Sequence, residues 1–205
     1  GYVAPDLTIL NDIVTKSGIT EMSYQQEPDS ILWCVRDDGV FAGLTYQRSE
    51  NVVAWHQHKL GGTFGTGASA TGYGVVESVA SISGTLTEDE LWVIVKRTIN
   101  GATKRYVECF ADFDFDETTP TDFRFLDSHL TYSGGATTTL SGLSHLEGQT
   151  VSILADGSAH NTKVVSSGAV TLDRSVTKAV VGLSYDSVLQ TMRIEGGAAE
   201  GTSQG

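Results

Sequence analysis

The 205-residue chain carries 25 Asp/Glu against 13 Lys/Arg, a net charge of −12, with 40% hydrophobic and 19% charged residues. That composition is globular rather than disordered, and a chain of this length buries a core without needing a disulfide or a metal. Its acidity argues against general nucleic-acid binding, and it has no run of about 18 apolar residues to cross a membrane as a helix.

In chain order, LTILNDIV (7–14) has helical spacing of apolar residues, and Asp6 stands where an N-cap belongs. Everything after it reads as strand and turn. ILWCVR (31–36) runs into Asp37-Asp38-Gly39, a hairpin signal, and VFAGLTY (40–46) returns. VVAWHQH (52–58) is the next strand. Residues 61–74, GGTFGTGASATGYG, read as a long flexible loop. VVESVASI (75–82) and LWVIVKRT (91–98) follow. Asn100-Gly101 is the strongest two-residue hairpin turn in the chain, and TKRYVECF (103–110) pairs back. The fold expected is all-β: an antiparallel meander, either propeller-blade-like or a sandwich, over residues 1–120. ILWCVRDDG and ELWVIVKRTING are loosely alike, as two blades would be.

The pattern breaks at ADFDFDETTP (111–120). Shorter strands are then expected at 150–155, 160–165, 169–172, 179–184 and 189–194. They suggest a small β-barrel over residues 121–200, with a polar tail at 201–205. The start at Gly1 and the polar end read as a piece of a longer polypeptide.

Candidate chemistry is sparse. Cys34 and Cys109 lack metal-ligand spacing; they read as half-buried thiols on strands, or as a disulfide if the fold brings their Cα atoms within about 7 Å. His56 and His58 share one strand face, which suits either two metal ligands awaiting a third or a solvent or interface face. Asp112, Asp114 and Asp116 open like a calcium loop. Glu117 stands where the loop needs glycine, however, and Phe123 where it needs a bidentate Glu. The plain alternative is a strand with Phe113 and Phe115 inward. Trp33, Trp55 and Trp92 either line a sugar-binding groove or belong to the core. Lys96, Arg97, Lys104 and Arg105 cluster about one turn, a local exception to the acidic surface. No nucleophile elbow or phosphate loop occurs, and a pair of glycosidase carboxylates cannot be located by spacing. The reading is therefore no enzyme and no cofactor.

Several phrases, taken together, resemble a known family. They are QQEPDSILWCVRDDG (25–39), LTY (44–46), VAWH (53–56), LWVIVKRTING (91–101) and RYVE (105–108). They look like large virion proteins of tailed phages and prophages, of the tail-nozzle or tail-tube-end kind. LDS (126–128), LTYSG (130–134), LSHLEG (143–148) and VSILADG (151–157) are similar to a small β-barrel module named after the FCCH domain of ubiquitin-activating enzymes. The resemblance implies a structural role in the virion. Partners would be copies of the chain and other tail proteins, without specific nucleic acid or membrane binding. It transfers no catalytic residue. The 61–74 loop and the 112–117 run depart from it. A receptor- or host-glycan-binding module and a tail-associated hydrolase are the alternatives.

Overall fold

The computed structural model describes residues 5–9, 11–84, 88–111 and 119–191. The chain is all-β, and among these residues its strands form three antiparallel sheets. The first is a meander of β1 (Ile19–Gln25), β2 (Ile31–Arg36), β3 (Phe41–Gln47) and β4 (Val52–His58). The second is a meander of β5 (Val75–Ser83), β6 (Asp89–Ile99) and β7 (Ala102–Cys109). These two sheets face each other as a sandwich. Trp33, Val35, Phe41 and Leu60 pack against Val76, Val79, Leu91, Val93 and Val95. Each large side chain withdrawn from water there contributes about 1.5–3 kcal/mol.

Strand β6 shows why these residues choose this structure. Leu91, Val93, Val95, Arg97 and Ile99 are buried, and the residues between them are half-exposed, the period of two expected when one strand face is covered. Its hairpin turn uses Asn100 and Gly101 at φ 48° and 73°, the left-handed pair that matches strand twist. By contrast, β2 and β3 carry near-continuous buried runs. Their second face is also covered: Cys34, Ala42, Leu32 and Trp55 pack beneath Val14 of the N-terminal segment. The similar phrases around Trp33 and Trp92 are thus central strands of two facing sheets.

On one side the sandwich is sealed by side chains. Glu21 Oε1 accepts from Ser78 Oγ and the Val79 N–H, and Ser23 Oγ accepts from the Ser81 N–H. These bonds occupy the outer edge of β5, which would otherwise recruit a foreign strand. On the other side β4 and β7 remain edge strands.

The third sheet has the order β10-β9-β11-β8, built from β8 (Asp127–Ser141), β9 (Thr150–Ala155), β10 (Ser158–Val164) and β11 (Ala169–Leu183). Register shifts interrupt the long β8–β11 ladder between Thr171 and Val176 and again near Lys178 and Leu183. Such irregularities bend strands, and here the sheet curls around Leu143, Leu146, Val151, Ile153, Val170, Val176 and Val181.

Four sequence expectations are corrected. The helix over 7–14 is only a 3-10 turn at Asp12–Thr15; Asp6 instead accepts from the Thr8 N–H and hydroxyl in a local turn. The strands expected at 169–172 and 179–184 are parts of one continuous strand, Ala169–Leu183. Among residues 189–191 there is no strand. Strand β8 was not read, because DSHLTYSGGATTTLS is largely exposed and lacks apolar alternation.

The 61–74 loop is tied down rather than free. Leu60 bridges Gly74, Thr71 Oγ1 holds both the Phe64 N–H and the Tyr73 carbonyl, and the Thr98 hydroxyl and N–H grip Gly65 and Thr63. Hydroxyls supply the pinning that apolar burial does not.

Gly43 pairs with His56 across β3 and β4, and the imidazole fills the space above the missing side chain. A Cβ there would lie 2.2 Å from His56 Cε1. Gly43→Ala is expected to displace that ring and destabilise the chain by about 1–3 kcal/mol, read as a lower urea midpoint at unchanged m-value.

Candidate functional site

The candidate side chains do not converge. Trp33 lies in the sandwich core at 6% exposure, stacked on Phe41 at 4.9 Å with its indole N–H donated to Gln25 Oε1. Trp55 is on the opposite face of the first sheet and donates to the Leu7 carbonyl. Trp92 is on the outer face of the second sheet and donates to Glu90. Three rings on three faces cannot form one sugar-binding groove. Asp112, Asp114 and Asp116 lie outside the described residues. Among the described residues, no three His, Cys, Asp or Glu are grouped to hold a metal ion.

Two of the four clustered cations share one carboxylate: Lys96 and Arg105 both pair with Glu77. A third, Arg97, pairs with Glu108. The patch that stood out as a possible anion surface is therefore largely neutralised. Cys34 is buried in the first sheet and Cys109 is exposed at the end of the second.

A cleft of about 840 Å³ lies where the open side of the sandwich meets the third sheet. Its walls are the end of β4, strand β7, residues 122–129 and residues 185–188. Large apolar side chains on these walls stay in water: Val107 is 68% exposed and Val188 88%, with Phe125 and Tyr185 also exposed. These exposed apolar side chains form a rim around the cleft.

Beneath this cleft lies the joint between the two units. Arg97 has no solvent exposure. Its Nη1 and Nη2 donate to the two oxygens of Glu108 at 2.5 and 3.1 Å, and its Nε donates to the Gly61 carbonyl at 2.7 Å. The Gly61 N–H is donated in turn to Asp127 Oδ2 at 2.6 Å, at the first residue of β8. One backbone unit of the glycine loop is thus held between a cation of the second sheet and an anion of the third. Nearby, the Tyr106 hydroxyl of β7 donates to the His145 carbonyl, and His145 Nε2 lies 3.0 Å from the Ser128 carbonyl. The strict inward parity of β6 was the signal for Arg97. Nothing in the spacing pointed to Gly61 or Asp127.

Burial pushes the Asp127 carboxyl above its ordinary value of 3.8, against the opposing pull of the Gly61 N–H and the Arg97 charge. Chemically the arrangement satisfies itself: each charge or dipole of the joint meets a partner from another element.

No family model matches the sequence, and no curated protein matches it significantly.

Two predictions test the joint. Arg97→Met leaves Glu108 and the Gly61 carbonyl without their donor. It is expected to cost about 3–5 kcal/mol, as breaking a buried pair does, and adding Glu108→Gln should recover part of that in a denaturant titration. For Asp127 the folded pKa is raised, so its protonation-linked stability is full below pH 3.8 and is lost as pH rises through the folded value. Asp127→Asn keeps an acceptor for the Gly61 N–H and removes the buried charge. Its unfolding free energy should exceed that of the native chain at pH 7, with the gap closing toward pH 3.

Proposed function

We propose that this chain is a structural component of the tail of a tailed-phage or prophage virion, part of a larger protein, and that it works through subunit contacts without catalysis. The observation that carries this reading is the joint. Two β units are braced by a fully buried guanidinium that engages the glycine loop and Glu108, while the Gly61 N–H reaches the third sheet. Such a connection resists relative motion of the units and holds the apolar rim of the cleft in fixed geometry. A ring or tube needs that rigidity, because identical subunits close a symmetric assembly only if each contact repeats at the same angle.

The phrases around Trp33, Trp55 and Trp92 that resemble tail-nozzle proteins support the same reading. They fall on β2, β4 and β6, the strands that build the sandwich. The glycan-binding alternative loses the shared tryptophan groove on which it depended.

Mass spectrometry of purified tailed particles should recover the chain as a stoichiometric component, and disrupting its gene should give particles without complete tails. Phe125→Asp, on the exposed rim, should leave the fold intact and stop tail assembly. Intact tails that lack the chain would overturn the proposal.

A further inference from the structure

Strand β4 is the outer strand of the first sheet, hydrogen-bonded within it only to β3. Two of its side chains, His56 and His58, turn inward on the same face. His56 Nδ1 and His58 Nε2 lie 2.7 Å apart. The ring centroids are 4.9 Å from each other, and 5.6 and 5.3 Å from that of Trp33. We propose that this pair is an acid-operated latch: neutral, it fastens the edge strand β4 to the aromatic core, and taking up protons on both rings releases that strand. The latch rests on these side chains alone and holds whatever role the chain plays.

The physical reason is the number of protons that fit. Two nitrogens 2.7 Å apart accommodate one proton between them, so one ring donates and the other accepts. A first added proton leaves the bond intact, because a charged ring still donates to a neutral one. A second sets N–H against N–H and places two like charges in ring contact.

The surroundings offer little compensation. Trp33 comes from β2; Phe41 and Gly43 come from β3, with Gly43 directly under His56. Thr45 Oγ1 is 3.4 Å from His56 Nε2, a weak contact. Phe110, just past β7, packs on Trp33 and Phe41. Of the carboxylates that share the cleft with His58, Glu108 is engaged by Arg97, Asp127 by the Gly61 N–H and Asp122 by Lys178, while Asp186 is exposed to water; the neighbouring Lys59 is itself a cation.

Burial accordingly holds His56 below its ordinary 6.5. Burial together with the charge on His56 pushes His58 down to about 4. In the released strand His58 titrates near 6.5, so protons favour release in the window from pH 6.5 down to about 4. The bias from His58 is roughly 30-fold at pH 5 and approaches about 300-fold below pH 4.

Amide hydrogen exchange on the whole chain tests the latch. After correction for intrinsic rates, protection of the β4 amides bonded to β3 should fall at least about 20-fold between pH 7 and pH 5, while β5 and β6 amides keep theirs. His58→Gln should reduce that pH dependence to the part carried by His56 alone. If His58→Gln loosens β4 at every pH, the imidazole carbon shifts of the unaltered chain decide: both rings must titrate below 6.5, His58 second. Flat β4 protection from pH 7 to 4, or an ordinary His58 titration, would overturn the proposal.

Discussion

The guanidinium of Arg97 is the constraint on which the rest of the structure turns. Withdrawing it from water costs several kcal/mol unless its donors are met with good geometry. Here Glu108 takes it with both oxygens and the Gly61 carbonyl takes Nε. The position of Gly61 then decides where the third sheet attaches, through the bond from its N–H to Asp127. The glycines around it follow from the same cause. A Cβ on Gly62 would stand 2.9 Å from Arg97 Cδ, and one on Gly74 3.0 Å from Arg97 Nε. Gly62 also has φ of +94°, a conformation side chains avoid. The two ends of a segment whose composition suggests a flexible loop are therefore backbone packed around one buried cation.

The two long sides of the sandwich are finished differently. Along β1 and β5, Glu21 and Ser23 occupy the backbone donors of the edge, which protects it from unwanted pairing. Along β4 and β7 the edges stay open, with aromatic rings and two imidazoles behind them and an apolar rim in front. The closed side secures the fold, and the open side leaves the outer edges of β4 and β7 unpaired among the described residues. A titratable pair of imidazoles is placed behind that side.

Much of the first two sheets was legible from residue order. Asn100-Gly101 and Asp37-Asp38-Gly39 place their hairpins, because few residues tolerate the φ values these turns need. The alternation in LWVIVKRT places β6, because one face of that strand is covered. The third sheet was less legible. Strand β8 is exposed along most of its length and takes its conformation from pairing with β11, so no local pattern marks it. The residues at 189–191 carry strand-forming side chains but meet no partner among the described residues.

The candidate site divides along the same line. Residue order by itself determined an all-β chain and the shared strand face of His56 and His58, since strand periodicity alone assigns faces; Arg97 reads there only as one of a cluster of surface cations. Tertiary structure decided that the three tryptophans stand apart and that Lys96, Arg97 and Arg105 are neutralised by Glu77 and Glu108. It also decided that Arg97, Gly61 and Asp127 meet. Those contacts join residues 36 and 66 positions apart, and only the folding of one sheet against another brings them within a hydrogen bond.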